Sequence, residues 1–313
     1  MIRIAAAILA LVACGRSSGV PDDQLGGLVH EVKAPEKVDV DQASKDPAEL
    51  SRAMALPYTA VIAAVGPHSL SIDTKTVVDE AGKPVSELTD HAALELGETG
   101  TFHGVYTNSA DYGREATYLG GKLYLRPRYQ RWHVRAPEAP EEPGQIRDLY
   151  FAAIAATWDL VAPGAEITDR GAATVAGRAG RKIEVKLAPT AHDNPREELS
   201  QRRWREGRTV ESLSGEVILD ADTGVPLAAK LAGSVTFMRD GRRFVMKLEL
   251  DAKLTAVGVV AIAAPPEAEV VATPTRKHEV DERDYLLQGI APSIRKNADG
   301  TAIKPSVAPA AKP

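Results

Sequence analysis

The sequence predicts a mainly β protein of the α+β class. Its long antiparallel sheet should curve into a half-barrel or open barrel, with one apolar helix packed in the concave face. Three observations carry this expectation. Several long stretches alternate apolar and polar residues with a period of two, the mark of strands covered on one side only. Turn pairs containing glycine separate them. One run, Gln145 to Val161, breaks the alternation and is apolar nearly all round a helix, as buried helices are.

The elements follow in chain order. Residues 14–45 are rich in Gly, Ser, Asp, Lys and Pro, lack a periodic apolar pattern, and read as a flexible tether. The folded domain is expected over 46–271. Asp46 reads as a helix N-cap with Pro47 at the first helical position. The helix continues from Ala48 to Leu56, and Pro57 stops it. Gly120-Gly121 turns Tyr118-Leu119 back on Lys122 to Leu125. An acidic, Pro-rich loop over 137–143 leads into the helix expected at about 145–161. There Ile146, Leu149, Tyr150, Ala153, Thr157, Leu160 and Val161 form one stripe, and Phe151, Ile154 and Trp158 a second.

Beyond the helix the alternation returns. Turns are expected at Gly177 to Gly180 and at Asp220 to Gly224. Ile183, Val185 and Leu187 should face one way and Lys182, Glu184 and Lys186 the other. Leu227, Ala229, Leu231, Val235 and Phe237 share a face, as do Phe244, Met246, Leu248, Leu250, Ala252 and Leu254. Asp240-Gly241 between these runs is a strong hairpin signal. The run from Arg243 to Thr255 would span about 43 Å at roughly 3.3 Å per residue, and strands this long must twist and curl. Residues 272–313 are Pro-, Ala- and Lys-rich and read as mostly disordered, with one short helical pattern near Glu279 to Gln288.

Location comes from the start of the chain. Cys14 is the single cysteine among 313 residues, and Leu11-Val12-Ala13 precede it. Upstream stand one charge, Arg3, and an apolar run from Ile4 to Val12, too short to span a bilayer. Leu-Val-Ala-Cys matches the lipobox of bacterial lipoproteins, and residues 1–13 would be the signal peptide. The resemblance implies a lipid-modified Cys14, anchored to a membrane by two or more acyl chains. Gly15 rather than Asp after the cysteine favours the outer membrane, with the protein facing the periplasm. Losing residues 1–13 removes Arg3 and moves the formal charge from -5 to -6, which argues against a nucleic-acid partner.

Lipobox, tether, long curved strands and inserted apolar helix together resemble the periplasmic lipoprotein-carrier group, which includes lipid-binding lipoproteins. Asp220 to Leu227 is similar to a D-x-x-T-G-x-P-L hairpin seen in that group, and Ile262 to Pro266 to its closing segment. Membership would imply an apolar cavity that holds acyl chains.

Other chemistry is weakly signalled. The seven histidines have no metal-ligand spacing. His103 and His133 are expected on alternating strands, where they could be neighbours. Asp220-x-Asp222-x-Gly224 starts like a calcium loop, but Leu231 stands where the closing Glu belongs, so a hairpin turn is the better reading. No nucleophile elbow, phosphate loop or dinucleotide motif occurs, so no catalytic residue, cofactor or metal is expected. Two Arg/Trp clusters stand out, over 126–135 and 202–208. In the first, alternation points Trp132 inward. In the second, Arg203, Trp204 and Arg205 suit an anionic headgroup at a cavity rim. The cavity itself is expected among Ile154, Trp158, Phe237, Phe244, Met246 and Leu248. The function expected is non-enzymatic binding or carriage of a lipid or other apolar ligand. The alternative is a scaffold lipoprotein that binds envelope proteins or glycans and holds no internal ligand.

Overall fold

The computed structural model describes residues 38–191, 208–258 and 260–272. The chain divides into two compact units, 1–270 and 271–313, and of the second only Val271 and Ala272 are described. Three short helices open the first unit: α1 (Val40–Ala43), α2 (Pro47–Met54) and α3 (Tyr58–Val65). Asp46 caps α2 as expected, its carboxylate accepting from the Ala48 amide at 2.9 Å. The packed structure begins earlier than the expected tether allows. Val38, Ala43 and Ser44 are buried, so residues 38–45 belong to the domain. Helix α3 was not expected either. Pro57 stops α2 but also supplies the extended residue before α3, which ends at Gly66 in a left-handed conformation.

The strands are β1 (His68–Glu80), β2 (Lys83–Leu96), β3 (Phe102–Asn108), β4 (Gly113–Leu119), β5 (Lys122–Pro127), β6 (Trp132–Arg135), β7 (Ala165–Val175), β8 (Arg178–Leu187), β9 (Thr209–Asp220), β10 (Pro226–Arg239) and β11 (Arg242–Val257). A short β12 (Val270–Ala272) begins at the unit's last residue. The eleven lie in one antiparallel sheet in the order β6-β5-β4-β3-β2-β1-β11-β10-β9-β8-β7. It is therefore two meanders. The last strand returns to pair with the first over thirteen registered residues, from His68 against Val257 to Glu80 against Phe244. The sheet stays open, since β6 and β7 do not pair, and it curls. On the face opposite the core, the Trp132 ring of β6 lies 6.3 Å from that of His103 on β3, although β4 and β5 intervene. His103 and His133, which could have been neighbours, are not, because these two strands separate them.

Alternation sets the two faces. Met246, Leu248, Leu250, Ala252 and Leu254 are buried on the concave side. The convex side carries cross-strand ion pairs such as Lys75–Glu87 at 2.9 Å and Lys247–Asp79 at 2.8 Å. Leu187 keeps the face of Ile183 and Val185 but is 38% exposed, because β8 ends there. The Asp240-Gly241 and Gly120-Gly121 turns form as expected. The turn placed at Gly177 to Gly180 shifts back to Ala176-Gly177, and Gly180 lies inside β8.

The expected helix over 145–161 is two helices, α4 (Glu142–Asp148) and α5 (Ala152–Val161). Between them the bonds tighten to three residues, with Tyr150 N–H on the Arg147 carbonyl and Phe151 N–H on that of Asp148, both at 3.1 Å. The physical reason is that two adjacent aromatics bury on different elements. Tyr150 lies against β3, where a side chain at Gly104 would meet its ring at 2.7 Å. Phe151 packs on Tyr58 of α3 with ring centroids 4.7 Å apart.

Two buried polar groups fix local structure and lead to predictions. His68 is fully buried, with Nδ1 at 2.7 Å from the Gly66 carbonyl and Nε2 at 2.6 Å from the Tyr58 hydroxyl. A carbonyl only accepts, so Nδ1 carries the proton and the Tyr58 hydroxyl donates to Nε2. Burial lowers the His68 pKa below its ordinary 6.5. The unfolded chain therefore binds this proton more readily, and unfolding free energy should fall as pH drops below 6.5 towards the folded pKa. Urea denaturation at several pH values checks this. His68→Phe should flatten the dependence.

Asp220 is 1% exposed at the β9–β10 turn. One oxygen accepts from the Thr223 amide at 3.0 Å and its hydroxyl at 2.8 Å, the other from Arg178 at 2.7 Å. Burial alone would raise its pKa, but these donors outweigh it and hold the carboxyl below the usual range. This explains the Asp-x-x-Thr-Gly spacing as a hairpin, since one oxygen is spent on the turn and the other on Arg178 at the start of β8. Asp220→Ala should cost ~3 kcal/mol by chemical denaturation, leaving Arg178 and the turn donors without their acceptor.

Candidate ligand-binding cavity

A cavity of ≈ 200 Å³ lies between α5 and the concave sheet face. Its floor is built by alternation: Ile72, Thr74 and Thr76 from β1, Leu88, Asp90 and Ala92 from β2, with Met246 and Leu248 from β11. Its roof is Leu149 and Tyr150 from the turn, then Ala152, Ala153, Ala156, Thr157 and Leu160 from α5. The space exists because α5 presents alanines to the sheet. Helix and sheet cannot close further, and methyl groups do not fill the gap. A larger depression of ≈ 390 Å³ beside Lys45 and Glu166 is open, and it borders Ala191, where the described chain stops.

One end of the cavity is polar. Tyr106 on β3 donates its hydroxyl proton to Asp90. The Thr74 hydroxyl donates to the other Asp90 oxygen at 3.2 Å. Burial and the bond to Asp90 hold the Tyr106 phenol well above its ordinary pKa. Arg114, opposite Tyr106 on β4, sets its guanidinium carbon 5.9 Å from the Tyr106 ring centre and 5.5 Å from that of Tyr150. Burial pushes the Tyr150 phenol up to about 12, against the pull of the Arg114 charge. Arg114 Nε is buried without a hydrogen-bond partner among the described residues, while the Tyr150 hydroxyl lies beside the Arg114 guanidinium.

The expected cavity residues separate. Met246 and Leu248 line the cavity. Ile154 and Trp158 are buried on another side of α5, where the Trp158 indole donates to Ser51 of α2 at 3.1 Å. Phe237 and Phe244 stack on each other with centroids 5.6 Å apart, beside the β10–β11 turn. Arg203, Trp204 and Arg205 lie outside the described residues, as does Cys14 with the rest of the lipobox. The first Arg/Trp cluster is structural. Trp132 is buried beneath Arg126, which pairs with Glu115 at 2.5 Å, while Arg131 binds the Ala268 carbonyl at 2.6 Å. Of the other histidines, His91 pairs with Asp73 at 2.7 Å and His103 bonds Thr117 at 2.8 Å. Sequence reasoning named Tyr150 and Ala153 only as parts of a stripe and missed Asp90, Tyr106 and Arg114. Their one signal was a polar residue at an inward position of a strand.

No family model matches the chain, and no curated protein matches it. Solved structures similar to it include the lipoprotein LppX of Mycobacterium tuberculosis, 14% identical, covering 65% of this chain and 94% of that one with a TM-score of 0.26. A LolA-superfamily protein from Nitrosomonas europaea is 8% identical over 67% of this chain and 96% of that one, with a TM-score of 0.19. The chain is also similar to the Pseudomonas aeruginosa MucA/MucB complex structure, 17% identical over 64% of this chain and 54% of that one, with a TM-score of 0.18. The lipoprotein-carrier group that the sequence resembles is thus represented among them. Likenesses this distant carry no weight for function.

Proposed function

We propose that the chain is a membrane-anchored, non-enzymatic envelope lipoprotein that binds a lipid or other apolar ligand beneath α5. One observation carries the reading: an apolar cavity kept open by Ala152, Ala153 and Ala156 over a sheet otherwise packed with large side chains. Stable folds rarely leave such space unfilled unless something occupies it. The anchor is the acylated Cys14, in the outer membrane and facing the periplasm. No helix among the described residues is long and apolar enough to cross a membrane.

Native mass spectrometry tests the reading on the full chain carrying Cys14→Ser, so that no acyl group is attached, purified without detergent. A stoichiometric lipid adduct is expected. A bare mass that stays bare after incubation with envelope lipids would overturn it and favour a scaffold that meets its partners through its outer surface.

A further inference from the structure

Tyr58 and His68 form a buried pair outside the cavity, and ligand binding does not use it. His68 is fully buried and Tyr58 is 2% exposed. Because His68 Nδ1 donates to the Gly66 carbonyl, its Nε2 accepts the Tyr58 hydroxyl proton. His68 is the one hydrogen-bond partner of that hydroxyl among the described residues. The Tyr58 ring in turn holds the helix turn that roofs the cavity. Phe151, just before α5, packs on it with centroids 4.7 Å apart, and the Arg147 guanidinium carbon of α4 lies 5.6 Å from its centre. Leu149 and Tyr150, between these two contacts, line the cavity. The pair therefore ties the roof to β1.

A proton on His68 would strain this tie in two ways. Both ring nitrogens would then donate, and the Tyr58 hydroxyl would keep no acceptor for its own proton. The new charge would also be buried beside another cation. The charged groups facing the pair are Arg147 and Asp148, both from α4. Asp148 binds Arg147 at 2.7 Å, and it is Arg147 that opposes charge on His68. On the sheet, the neighbours of His68 are Leu96 of β2 and Val257 of β11, which do not titrate. We propose that the Tyr58–His68 pair is an acid-sensitive latch: a proton on His68 frees Tyr58 and lets the α4–α5 turn lift from the cavity. The latch stands on this geometry, while its use, to admit or release a ligand, rests on the binding proposed above.

Hydrogen exchange followed by NMR on the full Cys14→Ser chain, from about pH 7.5 to about pH 5, tests the latch. Rates are normalised to the intrinsic rate at each pH. The reporters are the amides of Tyr150, Phe151 and Ile154, bonded within the turn, and that of Leu250 in mid-sheet. An open turn exposes His68 to water, where its pKa is the ordinary 6.5. Protection of the turn should therefore fall about tenfold per pH unit below 6.5, until the lower folded pKa is reached. Leu250 should stay at least about a hundredfold better protected than the turn throughout, since the sheet need not open. His68→Gln, whose amide oxygen can accept from Tyr58 without titrating, should abolish the fall. Nitrogen NMR of the His68 ring needs no variant at that position, and at neutral pH it should find the proton on Nδ1. A proton on Nε2, turn protection that ignores pH, or a fall that survives His68→Gln overturns the latch. Equal protection of the turn and Leu250 would mean that acid unfolds the whole domain, and overturns it too. None of these results decides whether the cavity holds a ligand, which the mass spectrum reads separately.

Discussion

Ala153→Phe is expected to abolish ligand binding and leave the domain folded. Ala153 sits on α5 facing the sheet and lines the cavity. Helical side chains lean back towards the preceding turn, so a phenyl ring at 153 extends over Leu149 and Tyr150. It would then occupy the space between the alanines and the polar end. Filling a void returns contacts, while a poorly fitted ring costs about 1–3 kcal/mol, so the two roughly cancel. The thermal midpoint should move by no more than about 4 °C. Bound lipid, by contrast, should disappear from the native mass spectrum. A variant that still carries a stoichiometric lipid would place the ligand elsewhere.

Gly215→Ala should be the most damaging small substitution in the sheet. Gly215 lies inside β9, opposite Leu231 of β10 and Val185 of β8. Its φ is 150°, a conformation L-residues avoid, and a Cβ there would stand 2.1 Å from the Lys230 carbonyl oxygen. The other near atoms are also backbone, at 2.9 and 3.0 Å, so no side chain can swing away to make room. Relief requires β9 to separate from β10. Strained backbone and overpacking each cost about 1–3 kcal/mol, giving ~4 kcal/mol together. The midpoint should fall by ~10 °C in a thermal melt. A loss below about 1 kcal/mol would mean that β9 moves freely against its neighbour. Gly104 is the informative contrast. There the obstacle is the Tyr150 ring, so Gly104→Ala should disturb the cavity more than the fold.

The sequence by itself determined the sheet. Alternation named the buried face of β10 and β11 residue by residue, because a period of two allows each side chain only one of two sides. The Asp240-Gly241 turn and the Asp46 cap were legible for the same reason, as local geometry needing particular residues. Tertiary structure alone decided what local periodicity cannot express. The break between α4 and α5 arises from two aromatics that find partners on different elements, Gly104 and Tyr58. The side of α5 that lines the cavity depends on where α2 packs, and that placement sends Trp158 to Ser51 instead. The polar end gathers Asp90, Tyr106, Arg114 and Tyr150 from three strands and a turn, up to sixty residues apart. No spacing in the chain encodes that group. It exists only because β2, β3 and β4 lie side by side and the chain crosses back over them.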